Sequence, residues 1–179
     1  MMKKVLILAA GLLMAALSWA QDFALSTNVL DYANLGTLNV EASYGLGTHW
    51  SVAAGVKYNP YTSRQQSYAL KARWWPWHTY SGWWLSGNVR YQEYNTGGYR
   101  LLVRSEGETT EGDRYGGGLS GGYSYMISKH LNLDMGVGFW AGYDRFKTYA
   151  CPRCGRVVGS GSRYFLSPSD VILGISYLF

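Results

Sequence analysis

Val171-Ile172-Leu173-Gly174-Ile175-Ser176-Tyr177-Leu178-Phe179 is the stretch on which the fold turns. Val171, Leu173, Ile175, Tyr177 and Phe179 form one wholly apolar set, and Gly174 and Ser176 between them are small. That is the two-residue period of a strand with unlike faces. The same period recurs upstream. Over 131–144, Leu131, Leu133, Met135, Val137, Phe139 and Tyr143 alternate with Asn132, Asp134, Gly136, Gly138 and Asp144. Over 114–125 one face carries Gly116, Gly118, Ser120, Gly122 and Ser124, small enough to admit long side chains arriving from neighbours.

Further out, the spacing predicts strands over 82–92, 67–75, 50–58, 38–44 and 22–31, each with an apolar and a polar face. Asn59-Pro60 ends one of them, because proline cannot donate to a ladder. The first is expected to put Phe23, Leu25 and Val29 against Ala24, Ser26 and Asn28. Ahead of it, Lys3 and Lys4 precede an apolar run from Val5 to Leu17 and then Ser18-Trp19-Ala20, the pattern of a cleaved secretory signal over 1–20. That run is shorter than the roughly 20 apolar residues of a spanning helix. No later run approaches that length, so a helical membrane protein is not expected.

The count gives an all-β chain, an eight-stranded antiparallel up-and-down transmembrane β-barrel over residues 21–179, the size at which side chains fill the interior. Connections at 45–49, 76–81 and 126–130 are short, whereas 93–113 and 145–163 are long. Short periplasmic turns and long external loops are the expected asymmetry of such barrels. Trp74, Trp75, Trp77, Tyr80, Trp83 and Trp84 crowd one turn, where an aromatic girdle at headgroup level is expected.

Composition agrees. Glycine, at 23 of 179 residues, is well above its usual share of about 7%. Without the leader the 16 basic residues fall to 14 against 11 acidic, a net charge of +3, too mild a balance to point to nucleic acid.

Glu41, Lys57, Lys71, Arg73, Arg90, Asp134 and Asp144 fall on inward faces, where they are expected to meet as a lumen charge network. A narrow ion path is the other use of such a lining. Cys151-Pro152-Arg153-Cys154 sits in the last long loop, and an exported chain favours a disulfide there over a metal or redox pair. A zinc ion needs four ligands, and His49, His78 and His130 belong to turns at the opposite end. No metal or cofactor is therefore expected within one chain. The same loop carries Arg145, Lys147, Arg153, Arg156 and Arg163 without an acid, while the other long loop carries Glu93, Glu106, Glu108, Glu111 and Asp113 against Arg100 and Arg104. The two are expected to fold onto each other, and the basic one also has the chemistry to grip lipopolysaccharide phosphates or an acidic surface partner. An outer-leaflet hydrolase would need a nucleophile, base and orienter at the external rim. No histidine falls there, so the enzyme stands as an alternative carried only by the rim aspartates Asp31, Asp113, Asp144 and Asp170.

An aromatic-ended strand of this pattern resembles the closing strand of Gram-negative outer-membrane barrels, which implies recognition by the barrel-assembly machinery. Thr27-Asn28, Tyr58-Asn59-Pro60, Ser128-Lys129-His130 before Asn132-Leu133, Cys151 to Gly155, Tyr164-Phe165 with Pro168, and Ile175 to Phe179 together resemble an uncharacterised family of small outer-membrane proteins, the domain-of-unknown-function family thirty-five seventy-five. The resemblance spans nearly all of the mature chain. It implies location and fold and assigns no activity. The expectation is a monomeric, lumen-filled barrel in outer-membrane lipid with a structural or surface-recognition role. A lipid-modifying enzyme and a small-solute channel are its alternatives.

Overall fold

The computed structural model describes residues 22–33, 37–59, 65–96, 99–100, 103–104, 107–151 and 155–179. The strands are β1 (Phe23–Asn28), β2 (Leu38–Gly45), β3 (Trp50–Asn59), β4 (Gln65–Trp74), β5 (Gly82–Asn95), β6 (Tyr99–Arg100), β7 (Val103–Arg104), β8 (Thr109–Ser128), β9 (Leu131–Tyr149) and β10 (Val157–Leu178). One turn of helix, α1 (Val29–Ala33), follows β1. Eight strands close in the order β1, β10, β9, β8, β5, β4, β3, β2, every pairing antiparallel, and β6 with β7 forms a separate two-stranded hairpin. No helix among the described residues is long and apolar enough to cross a membrane.

Closure can be followed residue by residue. From Leu166 on β10 the direct partners run through Ala141, Gly117, Val89, Leu70, Ala54, Ala42 and Leu25, and return to β10 at Tyr177. The path comes back 11 residues from its start, and the bulge between Pro168 and Asp170 accounts for one of them. The remaining shear of about 10 over eight strands tilts them by roughly 40° and leaves an interior only as wide as side chains can fill.

The faces are inverted relative to a water-soluble domain. Leu70, Leu85, Val89, Leu119, Val137, Phe139, Tyr164 and Leu166 stand exposed on the outer wall, with Leu119 at 75% and Leu166 at 77%. Inside, Ser43, Ser51, Asn59, Ser67, Arg73, Asn88, Arg90, Asn132, Asp134 and Asp144 are buried. A directly paired row of outward tyrosines, Tyr68, Tyr91, Tyr115, Tyr143 and Tyr164, crosses five adjacent strands.

Glycines shape the β8–β9 side. Gly116 faces Gly142 and Gly122 faces Gly136 across the ladder. A Cβ on Gly116 would meet the Ala141 carbonyl oxygen at 2.1 Å, and one on Gly122 would meet that of Met135 at 2.1 Å. These pairs let the sheet bend sharply, as barrel closure requires. They also make room for the Trp84 ring, 2.5 Å from a Cβ built on Gly122.

Three segment boundaries differ from expectation. The strand expected over 22–31 stops at Asn28, because its side-chain oxygen accepts from the Leu30 amide at 3.3 Å and turns the chain into α1. Val29 therefore belongs to a helix and not to the outer face of a strand. The long connection 93–113 shrinks as β5 extends to Asn95 and β8 begins at Thr109. The connection 145–163 shrinks likewise, with β9 continuing to Tyr149 and β10 starting at Val157. Polarity suggested loops, but Glu111 lies opposite Lys147 and Asp113 opposite Arg145. The two charged segments do meet, as rungs of a sheet, and opposite charges there are compatible with pairing.

Candidate functional site: the barrel lumen

Three layers fill the interior. At the end of the short turns, Trp75, Tyr80 and Trp84 are buried to 5% exposure or less and pack on Ala24. The expected girdle thus divides, with Trp74, Trp77 and Trp83 exposed outside while the other three close the floor. The reason is register, since Trp74 and Trp75, like Trp83 and Trp84, are adjacent and must point to opposite faces. Trp75 Nε1 donates to Ser51 Oγ at 2.9 Å, and the Arg73 guanidinium lies 4.6 Å from the Trp84 ring centroid. Tyr80 adopts a left-handed φ of 66°. Its ring against Trp75, its hydroxyl donating to the Asp22 carbonyl at 3.0 Å and its carbonyl accepting from Asn132 Nδ2 at 2.6 Å hold that strained backbone. Burial pushes the Tyr80 phenol above its ordinary value.

Above the floor, Glu41 accepts Lys71 Nζ at 2.7 Å and Arg73 Nη2 at 2.9 Å. Lys57 Nζ lies 2.8 Å from Asp31 Oδ2, a carboxylate that α1 carries over the rim. Asp134 accepts from the Ser124 and Ser176 hydroxyls. The Arg90 guanidinium stacks over Trp140, its centre 5.3 Å from the ring centroid. Gly55 stands opposite Glu41, and a Cβ there would make only ordinary contact with Oε2, at 3.6 Å.

The outer layer centres on Asp144, which has no solvent exposure. Tyr94 donates to Oδ1 at 2.9 Å, Arg163 Nε to Oδ2 at 3.0 Å, and Arg114 Nε lies 3.3 Å from Oδ2. Arg114 also stacks on Tyr94 at 4.3 Å, and Arg163 on Phe146 at 5.2 Å.

All seven residues expected in the lumen stand on inward positions, and the bonds described above arrange them in layers. Asp31, Arg114, Arg163 and the aromatic partners were missed. The signal for Arg114 was its place in the 114–125 alternation, and for the aromatics it was the i, i+1 tryptophan pairs. Arg163 changes role, from external loop to lumen partner of Asp144, because β10 begins earlier than expected. Arg145 and Lys147 lie on the outer side of β9 opposite acids, Arg156 is exposed, and Arg153 and Cys154 lie outside the described residues. Cys151 is not free. Among the described residues no cluster of histidine, cysteine or carboxylate could hold a metal ion.

A closed, antiparallel eight-stranded barrel with a polar, side-chain-filled lumen defines the class. Within it, the chain belongs to the family described as "Protein of unknown function (DUF3575)", whose model matches residues 4–179. Among curated proteins and solved structures, none matches the chain.

Proposed function

We propose that the chain is a non-enzymatic outer-membrane β-barrel, exported with loss of residues 1–20, whose role is structural or in surface recognition. The observation that carries this is the inverted burial: apolar side chains cover the outside of a closed barrel while charged and hydroxyl groups fill the inside. In water such an outer wall would be an aggregation surface; in lipid it is the solvated one. The tyrosine row supplies the headgroup-level belt, and the β10 end ending on Phe179 is the segment offered to the assembly machinery.

The recognition surface of this reading is the sheet of β8, β9 and β10 that continues past the tyrosine row, with a Cys151–Cys154 disulfide tightening its tip. Its candidate contacts are lipopolysaccharide phosphates or an acidic surface partner near Arg156. The floor of Trp75, Tyr80 and Trp84 argues against the channel alternative. Two experiments test the whole. The mature chain should co-sediment with outer-membrane markers and run faster unboiled than boiled on a gel; a detergent-free soluble chain would end the proposal. A pull-down of surface components with the native chain and with Arg156→Gln, at an exposed position outside the strands, tests the recognition half, which fails if both forms capture the same set.

A further inference from the structure

β10 outgrows its neighbour β1. The β1 ladder covers it only from Gly174 to Leu178, whereas β9 pairs with it as far as Val157. Just above that ladder Asn28 takes the Val171 carbonyl and the Leu173 amide, and at the other end Phe179 N–H donates to the Phe23 carbonyl at 3.0 Å. On this strand, therefore, residues whose side chains point outward turn their amide and carbonyl groups away from β9, as alternation along an antiparallel ladder requires. Past the bulge between Pro168 and Asp170 the outward residues are Leu166, Tyr164, Ser162 and Ser160, opposite Ala141, Tyr143, Arg145 and Lys147. Among the described residues nothing is paired with their groups on the free side. Tyr164 and Leu166 are accordingly the two most exposed large apolar side chains described, at 85% and 77%.

Native proteins blunt a bare edge with lysine, proline or a bulge. Here the proline and the bulge stop at Pro168, and from Val157 to Ser167 the one charge is Arg163, whose Nε is bound to Asp144 on the lumen side. Across the outer face the charge changes strand by strand: Glu111 and Asp113 on β8, Lys147 and Arg145 on β9, and only the hydroxyls of Ser160 and Ser162 on β10. A groove of about 590 Å³ opens there, walled by the two cations and floored by the two serines. A further strand beyond β10 would stand two strand spacings from β9, roughly 10 Å. A glutamate on it and an arginine or lysine on β9 can meet across that gap, because serine between them is short. We propose that the upper edge of β10 takes up an extended acidic segment of a partner protein as an added antiparallel strand. Its carboxylates lie over Ser160 and Ser162, and its apolar side chains lie beside Tyr164 and Leu166. Main-chain bonds supply the affinity and the alternate side chains the selectivity. This rests on the surface-recognition reading and names the partner class for it. A second copy does not fit, since two chains inserted in one membrane run β10 in the same direction.

The test uses the full mature chain folded in dodecyl maltoside micelles and two capped synthetic peptides of alternating sequence, identical except that one carries glutamates where the other carries lysines. The glutamate peptide should bind and slow amide exchange at Ser160, Ser162, Tyr164 and Leu166, leaving Gly161 and Arg163, which face β9, unchanged. N-methylating its amides on the pairing side should weaken binding at least about tenfold. Lys147→Gln should weaken it by up to about fivefold. Ser162→Pro, which removes an edge donor without touching the β9 ladder, should abolish the protection. No binding, equal binding of the two peptides, or indifference to N-methylation would overturn the added strand. Binding without edge protection that lipopolysaccharide displaces would overturn it too and assign the cations to lipid phosphate. Edge amides protected before any peptide is added would overturn it in favour of a second copy or of the chain's own cover. Should Ser162→Pro fail to fold, the N-methylated peptide decides on the native chain. Failure here leaves the surface-recognition reading to its own pull-down, so the two fall separately.

Discussion

The barrel wall is short where the chain begins and tall where it ends. β1 has 6 residues, β2 has 8, β3 and β4 have 10 each, and β8, β9 and β10 have 20, 19 and 22. Each added residue lengthens a strand by roughly 3.3 Å, and the turns at the floor are short, so the difference appears at the opposite rim. Low-wall strands β2 to β4 supply Glu41, Lys57, Lys71 and Arg73 to the middle layer. The outer layer is supplied by the tall side: Tyr94 from β5, Arg114 from β8, Asp144 from β9 and Arg163 from β10. Beyond α1 and Asn28, which cover β10 just past the end of β1, β10 pairs among the described strands with β9 alone, and Arg163, though it points to the lumen side, has a side chain 57% exposed. One sheet therefore does two jobs: its lower rows close a barrel, and its upper rows, from β5, β8, β9 and β10, form a blade.

If the two regions differ in this way, substitutions in the closed rows should be far costlier than those in the blade. The largest effect is expected for Gly122→Val. Its Cβ would stand 2.1 Å from the Met135 carbonyl oxygen and 2.5 Å from Trp84. Backbone cannot yield as a flexible side chain can, so the loss should exceed about 4 kcal/mol. The measurement is the refolding yield of the heat-modifiable species, which should disappear. Gly159, on the blade with nothing within 4 Å of its built Cβ, is the matched control, and Gly159→Val should refold normally.

Next in size is Asp144→Asn. The carboxylate is fully buried among two arginines and Tyr94, and removing one partner of a buried pair costs about 3–5 kcal/mol. Exposure of Arg163 reduces that to about 2–3 kcal/mol by solvent screening. Glu111→Gln, opposite Lys147 on the blade, should change stability by no more than about 1 kcal/mol. Denaturant midpoints of the two variants in micelles measure the contrast, and equal losses would show that the blade is as integral as the barrel.

These contrasts track what could be read from the chain alone. The period of two fixed the inward and outward sets, so that Ser51, Lys57, Arg73, Asn88, Asp134 and Ser176 all stand where alternation puts them. It could not fix strand ends in polar segments, because 109–113 and 145–149 look like loops until Glu111 and Lys147 are known to be paired. Nor could it show which lumen cation meets which acid. Partner choice depends on shear, and shear needs the register of all eight ladders. The tryptophan floor was legible in principle, since neighbouring tryptophans on a strand cannot share a face.

A smaller effect is expected at the seam. Asn28 accepts from the Leu173 amide at 3.0 Å and donates to the Val171 carbonyl at 3.0 Å, occupying β10 groups just above the last β1 pairing and capping α1. Asn28→Ala should cost about 1–2 kcal/mol, in the range of a lost cap and two hydrogen bonds at a partly exposed site. Hydrogen exchange should quicken at Leu173 and in α1 while Ile175 and Tyr177 keep their protection. Uniform quickening along β10 would mean that the seam is no weaker than the rest of the wall.

The smallest effect concerns the floor, the one region that both walls share. Tyr80 lies in the turn between β4 and β5, and burial raises its phenol above the ordinary value of about 10. Folding thus favours the protonated ring, and the unfolded chain releases that proton first as pH rises. The contribution is complete below about pH 10 and is lost between there and the raised folded value. Near neutral pH, Tyr80→Phe should cost only about 1 kcal/mol, the hydroxyl's bond to the Asp22 carbonyl. Above pH 10 the gap should narrow, because the variant has no proton to lose at this position. Paired unfolding midpoints from pH 8 to pH 11 give the answer: parallel curves would show that the floor opens before the ring ionises, and converging ones that the floor holds the barrel shut through both walls alike.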